Sequence, residues 1–277
     1  MKAFLYELKR NRNLLIGCIM VASVVLVALL ADVIAPYEYN YADTSLKFRS
    51  PGGGFLWGTD ELGRDVFSRV LFGSRIALRI AIMGVAIQTF LGVTFGLLAG
   101  YYGRAVDRMV SFLADLTWSM PPIIMSMAVI TILGRGLDNT IIAISVVSWA
   151  QYTRLVRAKT QSLKNMAFVE TAVAFNESHF SILTRYILPN TLPSIIVLSS
   201  LSIPQIILST TALSFLGLGA QPPSPDWGLA LSNSFRQIAT ASWLSIYPGL
   251  ALVYTVFGFN LLGEGVRDYL DPRLRSI

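Results

Sequence analysis

One cysteine and one histidine are the whole of this chain's thiol and imidazole chemistry. Cys18 alone closes no intrachain disulfide and holds no thiolate metal cluster, and His179 alone builds no catalytic or metal constellation. Charge is also scarce, at 14% of 277 residues, where an ordinary soluble domain carries about a quarter. No G-x-x-x-x-G-K-[ST] run occurs, so the backbone cradle and lysine that hold a nucleotide's phosphates are missing. No metal, nucleotide or other cofactor is expected in this chain, nor any catalytic group or nucleic-acid partner. If ATP is used, another subunit must hydrolyse it.

What the chain has instead is apolar length. It is 54% hydrophobic, with a mean hydropathy of +0.59. Six runs are long enough to cross about 30 Å of hydrocarbon: residues 14–35, 80–102, 109–133, 140–156, 191–216 and 243–263. Lipid offers the backbone no hydrogen-bond partners, so these runs must be helices. The expected fold is an all-α, polytopic membrane protein with six transmembrane helices. Counting Lys and Arg on alternate sides puts 14 with the termini and 8 opposite, which favours N-in and C-in. The first run is too long for a signal-peptide core of about 7 to 15 residues and ends at no clean cleavage site. Before it, Phe4, Leu5 and Leu8 among Lys2, Lys9, Arg10 and Arg12 read either as a short amphipathic helix on an anionic surface or as a basic tail serving topology.

Between the first two runs, residues 36–79 are too many for a simple turn. After the flexible break Pro51-Gly52-Gly53-Gly54, Thr59 is a good N-cap with Asp60 and Glu61 in the first turn. Asp65 and Arg69 stand at i, i+4, and Leu62, Val66 and Val70 make one stripe, which predicts a short helix outside the membrane. Within the membrane, Asp115 is a costly buried acid, expected to pair with a cation such as Arg154 or to meet solute. Met120-Pro121-Pro122 must kink or restart the third helix. Gln88, Trp118, Asn139, Gln205 and Asn260 are candidates for a solute pathway or for helix packing. The stretch from Gln221 to Trp227, rich in proline, reads as an extended outer edge with Trp227 anchored at the interface.

The segment FVETAVAFNESHFSILTRYILPNTLP, residues 168–193, separates the fourth and fifth runs with polar and weakly apolar residues. Glu170, Thr171, Ala172, Asn176, Leu188 and Pro189 keep the spacing of the E-A-A-x3-G-x9-I-x-L-P loop, and the segment resembles the EAA loop of type I ABC importer permeases. Thr171 stands for Ala, Asn176 for Gly and Tyr186 for Ile. Asn is the non-glycine residue that best tolerates a left-handed corner. The resemblance narrows at GTDELGRDVFSRVLFGSR, where Gly58, Thr59, Asp60, Gly63, Arg64, Asp65, Ser68 and Arg69 match the GTD-x-x-GRD-x-x-SR segment of the second permease subunit in dipeptide, oligopeptide and nickel ABC importers. SFLGLGAQPPSPDWG and FNLLGEGVRDYLDPRLR are similar to the same family.

The resemblance implies a type I ABC importer permease fold divided into an N-terminal part over residues 1–75, a transmembrane domain over 76–264 with its coupling loop at about 157–190, and a cytoplasmic tail over 265–277. It further implies a second homologous permease, two ATPase subunits holding ATP and Mg, an external substrate-binding protein, and a place in the cytoplasmic membrane. In that reading Glu170 anchors a helix start against the ATPase, Ala172 permits close approach, Asn176 makes the corner and Leu188-Pro189 restarts the fifth span. The stretch at Gln221 then serves as a docking edge for the binding protein or as a plain loop. Peptides are the expected solute, with nickel chelates and oligosaccharides sharing the pattern. An ion-coupled secondary transporter and a membrane scaffold are the readings from other classes.

Overall fold

The computed structural model describes residues 11–270, and apart from two isolated β-bridges every regular element among them is helical. The Phe4, Leu5 and Leu8 stripe and the tail after residue 270 lie outside the described residues. The helices are α1 (Arg12–Ile34), α2 (Val66–Tyr102), α3 (Arg104–Trp118), α4 (Pro122–Leu133), α5 (Leu137–Lys164), α6 (Ala167–Ala174), α7 (His179–Phe215), α8 (Trp227–Ser234) and α9 (Trp243–Leu270).

Four of these, α1, α2, α7 and α9, are long and apolar enough to cross a membrane. The 37 residues of α2 extend about 56 Å, well beyond the hydrocarbon, so its first turns stand clear on the outer side. The expected third span is a pair, α3 and α4, bent by 96° at the Ser119-to-Pro121 break. Pro121 and Pro122 offer no N–H to the preceding turn, and Pro122 instead occupies the first turn of α4, where no donor is needed. α5, the expected fourth span, is less apolar than the other four. It is the central helix, packing on α2, α3, α4 and α7, and Thr140, Ser145, Thr153 and Thr160 are buried among those neighbours. Covered by those helices on most sides, with Ile142 and Val146 left exposed, it need not match lipid on every face.

The α2–α5 seam is built on glycine at every fourth position. A Cβ at Gly92 would lie 2.2 Å from the Cβ of Tyr152, one at Gly96 2.7 Å from that of Val156, and one at Gly100 2.6 Å from that of Thr160. Only hydrogen fits at these three turns, so the two backbones come together as small-residue helix pairs do in membranes. At the same end of the bundle the chain's described ends meet, with Asn11 Nδ2 donating to Asp268 Oδ2 at 2.9 Å.

At the outer end a polar clamp replaces the helix expected from Thr59. Thr59 does not cap a helix: its Oγ1 donates to the Leu46 carbonyl and accepts from the Arg49 N–H at 2.8 Å, tying two loop strands together. The cap is Asp65, whose Oδ2 accepts from Ser68 N at 2.7 Å and Ser68 Oγ at 2.6 Å and so starts α2 at Val66. The anticipated Asp65–Arg69 pair therefore does not form. Arg69, buried, lies 3.6 Å from Asp60 and donates to the carbonyls of Tyr39 at 2.8 Å, Pro223 at 3.2 Å and Ser224 at 2.9 Å. Asp60 is held by Arg64 Nε at 2.7 Å and by the Leu62 and Arg64 backbone N–H groups. Gly63, at φ +73°, turns the chain between them where a Cβ would strike the Asp43 carbonyl. Leu62 is exposed rather than part of the stripe. The Pro51 to Gly54 break is an ordered turn closed by Gly52 N–H to the Phe55 carbonyl at 2.8 Å.

Trp227 is likewise no interface anchor. It is the first residue of α8, 5% exposed, with Asp226 capping the helix through the Leu229 N–H at 2.8 Å. Its Nε1 donates to the Val70 carbonyl at 3.1 Å, across a gap kept open by Gly73, whose Cβ would lie 2.2 Å from that nitrogen. Burial holds the Asp226 carboxyl above the usual carboxylate range, partly offset by the Leu229 N–H. The motif thus joins the outer loop, α2, α8 and, through Trp243 Nε1 to the Thr59 carbonyl at 3.3 Å, α9.

Arg69→Leu leaves Asp60 with one cation fewer and three carbonyls without that donor. The expected result is a loss of about 3–5 kcal/mol, read as a lower Tm of the detergent-purified protein, whereas an unshifted Tm would contradict the clamp.

Candidate functional site

The chain re-enters the membrane through an elbow at the end shared by the termini. α6 begins after Lys164 and closes in a left-handed corner: Asn176 has φ +56°, its N–H donates to the Val173 carbonyl at 2.9 Å, and the Glu177 N–H donates to that of Ala172 at 3.1 Å. These are the two bonds of a Schellman termination with Asn at the position usually held by Gly. The corner expected at Asn176 forms with the backbone geometry the spacing requires.

The elbow's inner face is α6 against its own bundle. Val169 and Ala172 are buried in a cluster with Leu97, Tyr101, Val156, Ile182, Leu183 and Ile187. Ala172 permits close approach of α6 to its own bundle. The outer face is different. Glu170 and Thr171 point to solvent, and around them stand Phe168, Val173, Phe175 and Phe180, the last two at 80% and 75% exposure. These four apolar side chains are left exposed on the face of the elbow that turns away from the bundle.

From the corner, α7 starts with an α turn at His179–Ser181 and widens into a π turn over Ile182–Ile187 before the regular helix Leu188–Phe215. The widening ends at Leu188-Pro189, where Pro189 has no N–H to give to the turn before it. Tyr186, in the position where the EAA pattern has Ile, donates its hydroxyl to Glu177 Oε1 at 2.5 Å, and Ser181 Oγ donates to Oε2 at 2.6 Å. The Ser181 bond first, and then that from Tyr186, hold the Glu177 carboxyl below its ordinary range. His179 Nδ1 pairs with Tyr101 Oη at 2.8 Å, while Lys164 Nζ donates to the Tyr101 carbonyl at 2.6 Å. Tyr101 thus joins the ends of α2 and α5 to the start of α7.

Farther into the bundle lies a cavity of about 420 Å³ walled by α2, α4, α5 and α7 together with Trp118. Gln88 and Gln205, expected as pathway residues, both line it, and Gln151, Ser126, Ser148, Ser202 and Ser209 join them. Those five were not singled out, although Ser148 and Gln151 at i, i+3 and Ser202, Gln205 and Ser209 at i, i+3, i+7 put polar groups on single helix faces. Asn139 does not line the cavity; its amide donates to the carbonyls of Leu133 at 2.8 Å and Gly134 at 3.1 Å and fastens the α4–α5 turn. Asn260 sits on an exposed face of α9, away from the cavity.

Asp115 pairs with Arg154 as expected, Nη2 to Oδ1 at 2.7 Å, but the carboxylate is exposed and not buried, because the bend after Trp118 swings α3 to the rim of the bundle. The Arg154 guanidinium also lies 4.6 Å over the Trp118 ring. Among the described residues no group of three or more His, Cys, Asp or Glu is placed to hold a metal.

Comparison with known proteins shows the family. Residues 92–276 match the family described as binding-protein-dependent transport system inner membrane component, and residues 1–51 match the N-terminal TM domain of oligopeptide transport permease C. The chain is 38% identical over 270 residues to a dipeptide transport system permease protein of Alkalihalophilus pseudofirmus, covering 98% of this chain and 89% of the relative. It is 40% identical over 259 residues to a glutathione transport system permease protein of Pectobacterium atrosepticum, covering 93% and 86%. The Escherichia coli glutathione permease is 40% identical over 274 residues, covering 99% and 90%. Among solved structures, a chain of the inward-facing MetNI methionine ABC transporter superposes with a TM-score of 0.57 at 17% identity, over 73% of this chain and 96% of that one, a likeness of fold.

The Glu177 knot sets a pH dependence for the elbow. A carboxyl whose folded pKa is depressed stabilises the elbow above its ordinary value of 4.5 and loses that contribution as pH falls through the lower folded value. Protection factors of the amides over residues 166–190, taken relative to the intrinsic exchange rate at each pH, should therefore fall on acidification, more so in wild type than in Tyr186→Phe, which starts looser. Identical pH profiles for the two proteins would contradict the knot.

Proposed function

The chain belongs to the binding-protein-dependent transport system inner membrane components, and on that premise we propose that it is the permease subunit through which small peptides enter the cell by alternating access, driven by ATPase subunits that dock on the elbow. As a member of that family it is a multi-pass protein of the inner membrane and a transport component. The solute class is supported by the relatives, which belong to dipeptide and glutathione transport systems.

The observation that carries the coupling role is the two-faced elbow. Its inner face is fixed into the bundle by Val169, Ala172 and the Tyr101 junction, and its outer face offers Glu170 among exposed apolar side chains. A partner gripping the outer face moves α6, and α6 cannot move without the ends of α2, α5 and α7. Such rigid-body rocking of packed helices is a two-state transition of the kind alternating access requires. Glu170 supplies an acceptor to the partner, Asn176 keeps the corner and Leu188-Pro189 places the restart of α7. A second permease of the same family completes the pathway, and a soluble binding protein delivers solute at the outer end, where the Gln221 to Trp227 segment lies against α2.

An ion-coupled carrier acting alone has less support, since among the described residues no Asp, Glu, Lys or Arg lines the membrane cavity to serve as a titrating relay. Reconstitution separates the two. Peptide uptake into proteoliposomes should require partner ATPase and hydrolysable nucleotide, and uptake by this chain alone on a proton or sodium gradient would overturn the proposal. Within the assembled transporter, Glu170→Ala should weaken ATPase docking or coupled uptake by about tenfold, the size of one lost charge-assisted hydrogen bond, with membrane insertion unchanged. Unaltered uptake would remove Glu170 from the interface.

A further inference from the structure

We propose that the membrane cavity is a transit site for the main chain of the imported peptide, recognised through neutral side-chain amides and hydroxyls and not through charge. The inference rests on the import reading above and adds to it which chemical groups of the solute are recognised, and by which residues.

The first observation is an unused donor. Gln88 is 1% exposed, lines the cavity, and its Nε2 has no hydrogen-bond acceptor among the described residues. Buried amide donors are almost always partnered, because leaving one unmet is unfavourable. A carbonyl brought into the cavity would meet that need. The second observation is the wall itself. Gln151 and Ser148 on α5, Gln205 and Ser202 on α7 and Ser126 on α4 add donors and acceptors of both kinds, so a chain of alternating C=O and N–H groups finds complements on three helices.

The third observation is neutrality. Among the described residues none of the lining side chains is ionisable, and the guanidinium that lies over the lining Trp118 ring, that of Arg154, is already paired with Asp115 at 2.7 Å. A charged wall would hold a peptide of opposite charge and repel one of like charge, whereas amide and hydroxyl groups contact the feature all peptides share. Ile123, Ile144, Leu198 and Ile206 leave apolar space for side chains. The volume of about 420 Å³ falls within the range of about 300–1,000 Å³ for small-ligand sites. Neutral contacts of this kind are weak enough for a solute to leave as well as enter.

The test uses the complete transporter, both permeases, both ATPases and the binding protein, in proteoliposomes, with trialanine, a dipeptide and glutathione as solutes. Peptide imported per ATP hydrolysed is measured for wild type, Gln88→Leu and Gln205→Leu. The expected result is about a tenfold fall in that ratio for Gln88→Leu and a smaller fall for Gln205→Leu, with binding-protein-stimulated ATP hydrolysis preserved. Gln205 is exposed on the cavity wall, so its variant remains informative should Gln88→Leu fail to assemble. Import per ATP unchanged in both variants, or import and hydrolysis falling together, overturns the transit site while leaving the permease assignment intact. A wild-type transporter that imports none of the three solutes withdraws the import reading itself.

Discussion

Everything in this bundle is referred to one contact, the seam where Gly92, Gly96 and Gly100 of α2 meet Tyr152, Val156 and Thr160 of α5. Lipid supplies no hydrophobic drive for two apolar helices to associate, so close packing must do it. With no side chain on α2 at three successive turns, the helices touch backbone to side-chain root, and neither can slide without collision. The pair therefore behaves as one body. One end of that body carries Gln88, Ser148 and Gln151 into the cavity, and the other ends at Tyr101 and Lys164 against the elbow. On the proposed reading, a push at the elbow and contact with solute in the cavity would fall on the same two helices.

The two ends of the bundle are finished differently, in keeping with what each must do. Outside, the Asp60, Arg64 and Arg69 clamp is buried and saturated with backbone carbonyls, so it fixes the first loop, α2 and the segment before α8 in one arrangement. Inside, the elbow is held by a few bonds from Tyr186, Ser181 and His179, and presents an apolar face that the other described residues leave exposed. A rigid outer end and a lightly tethered inner face suit a body pushed from the cytoplasm.

The parts of this fold legible in the sequence are those set by local rules. Apolar runs gave α1, α2, α7 and α9 within a turn or so at most membrane ends, Met120-Pro121-Pro122 marked the break, and Asn176 made its corner because a Schellman turn is decided by the residues within it. The failures share a cause. Thr59 and Asp65 are both fit to cap a helix, and only the tertiary bond from Thr59 to Leu46 decides for Asp65. Trp227 looks like an interface anchor until Gly73, far off in sequence, opens room for it. Asp115 and Arg154 were pairable by their depth, but their exposure depends on a 96° bend whose angle no dipeptide encodes. Polar spacing on α5 and α7 carried a usable signal for the cavity, whereas its convergence with Gln88 required the packing.

The central claim is that force enters through the elbow's outer face, and a cross-link tests it most directly. With Cys18 replaced by Ser and Phe175 by Cys, the actively importing transporter should give a zero-length or short cross-link between residue 175 and an ATPase subunit, in a yield that changes between nucleotide-free and nucleotide-bound states. A transporter that imports peptide at the parental rate while residue 175 stays unlinked in both states, with the ATPase captured on some other cytoplasmic surface, would contradict the account.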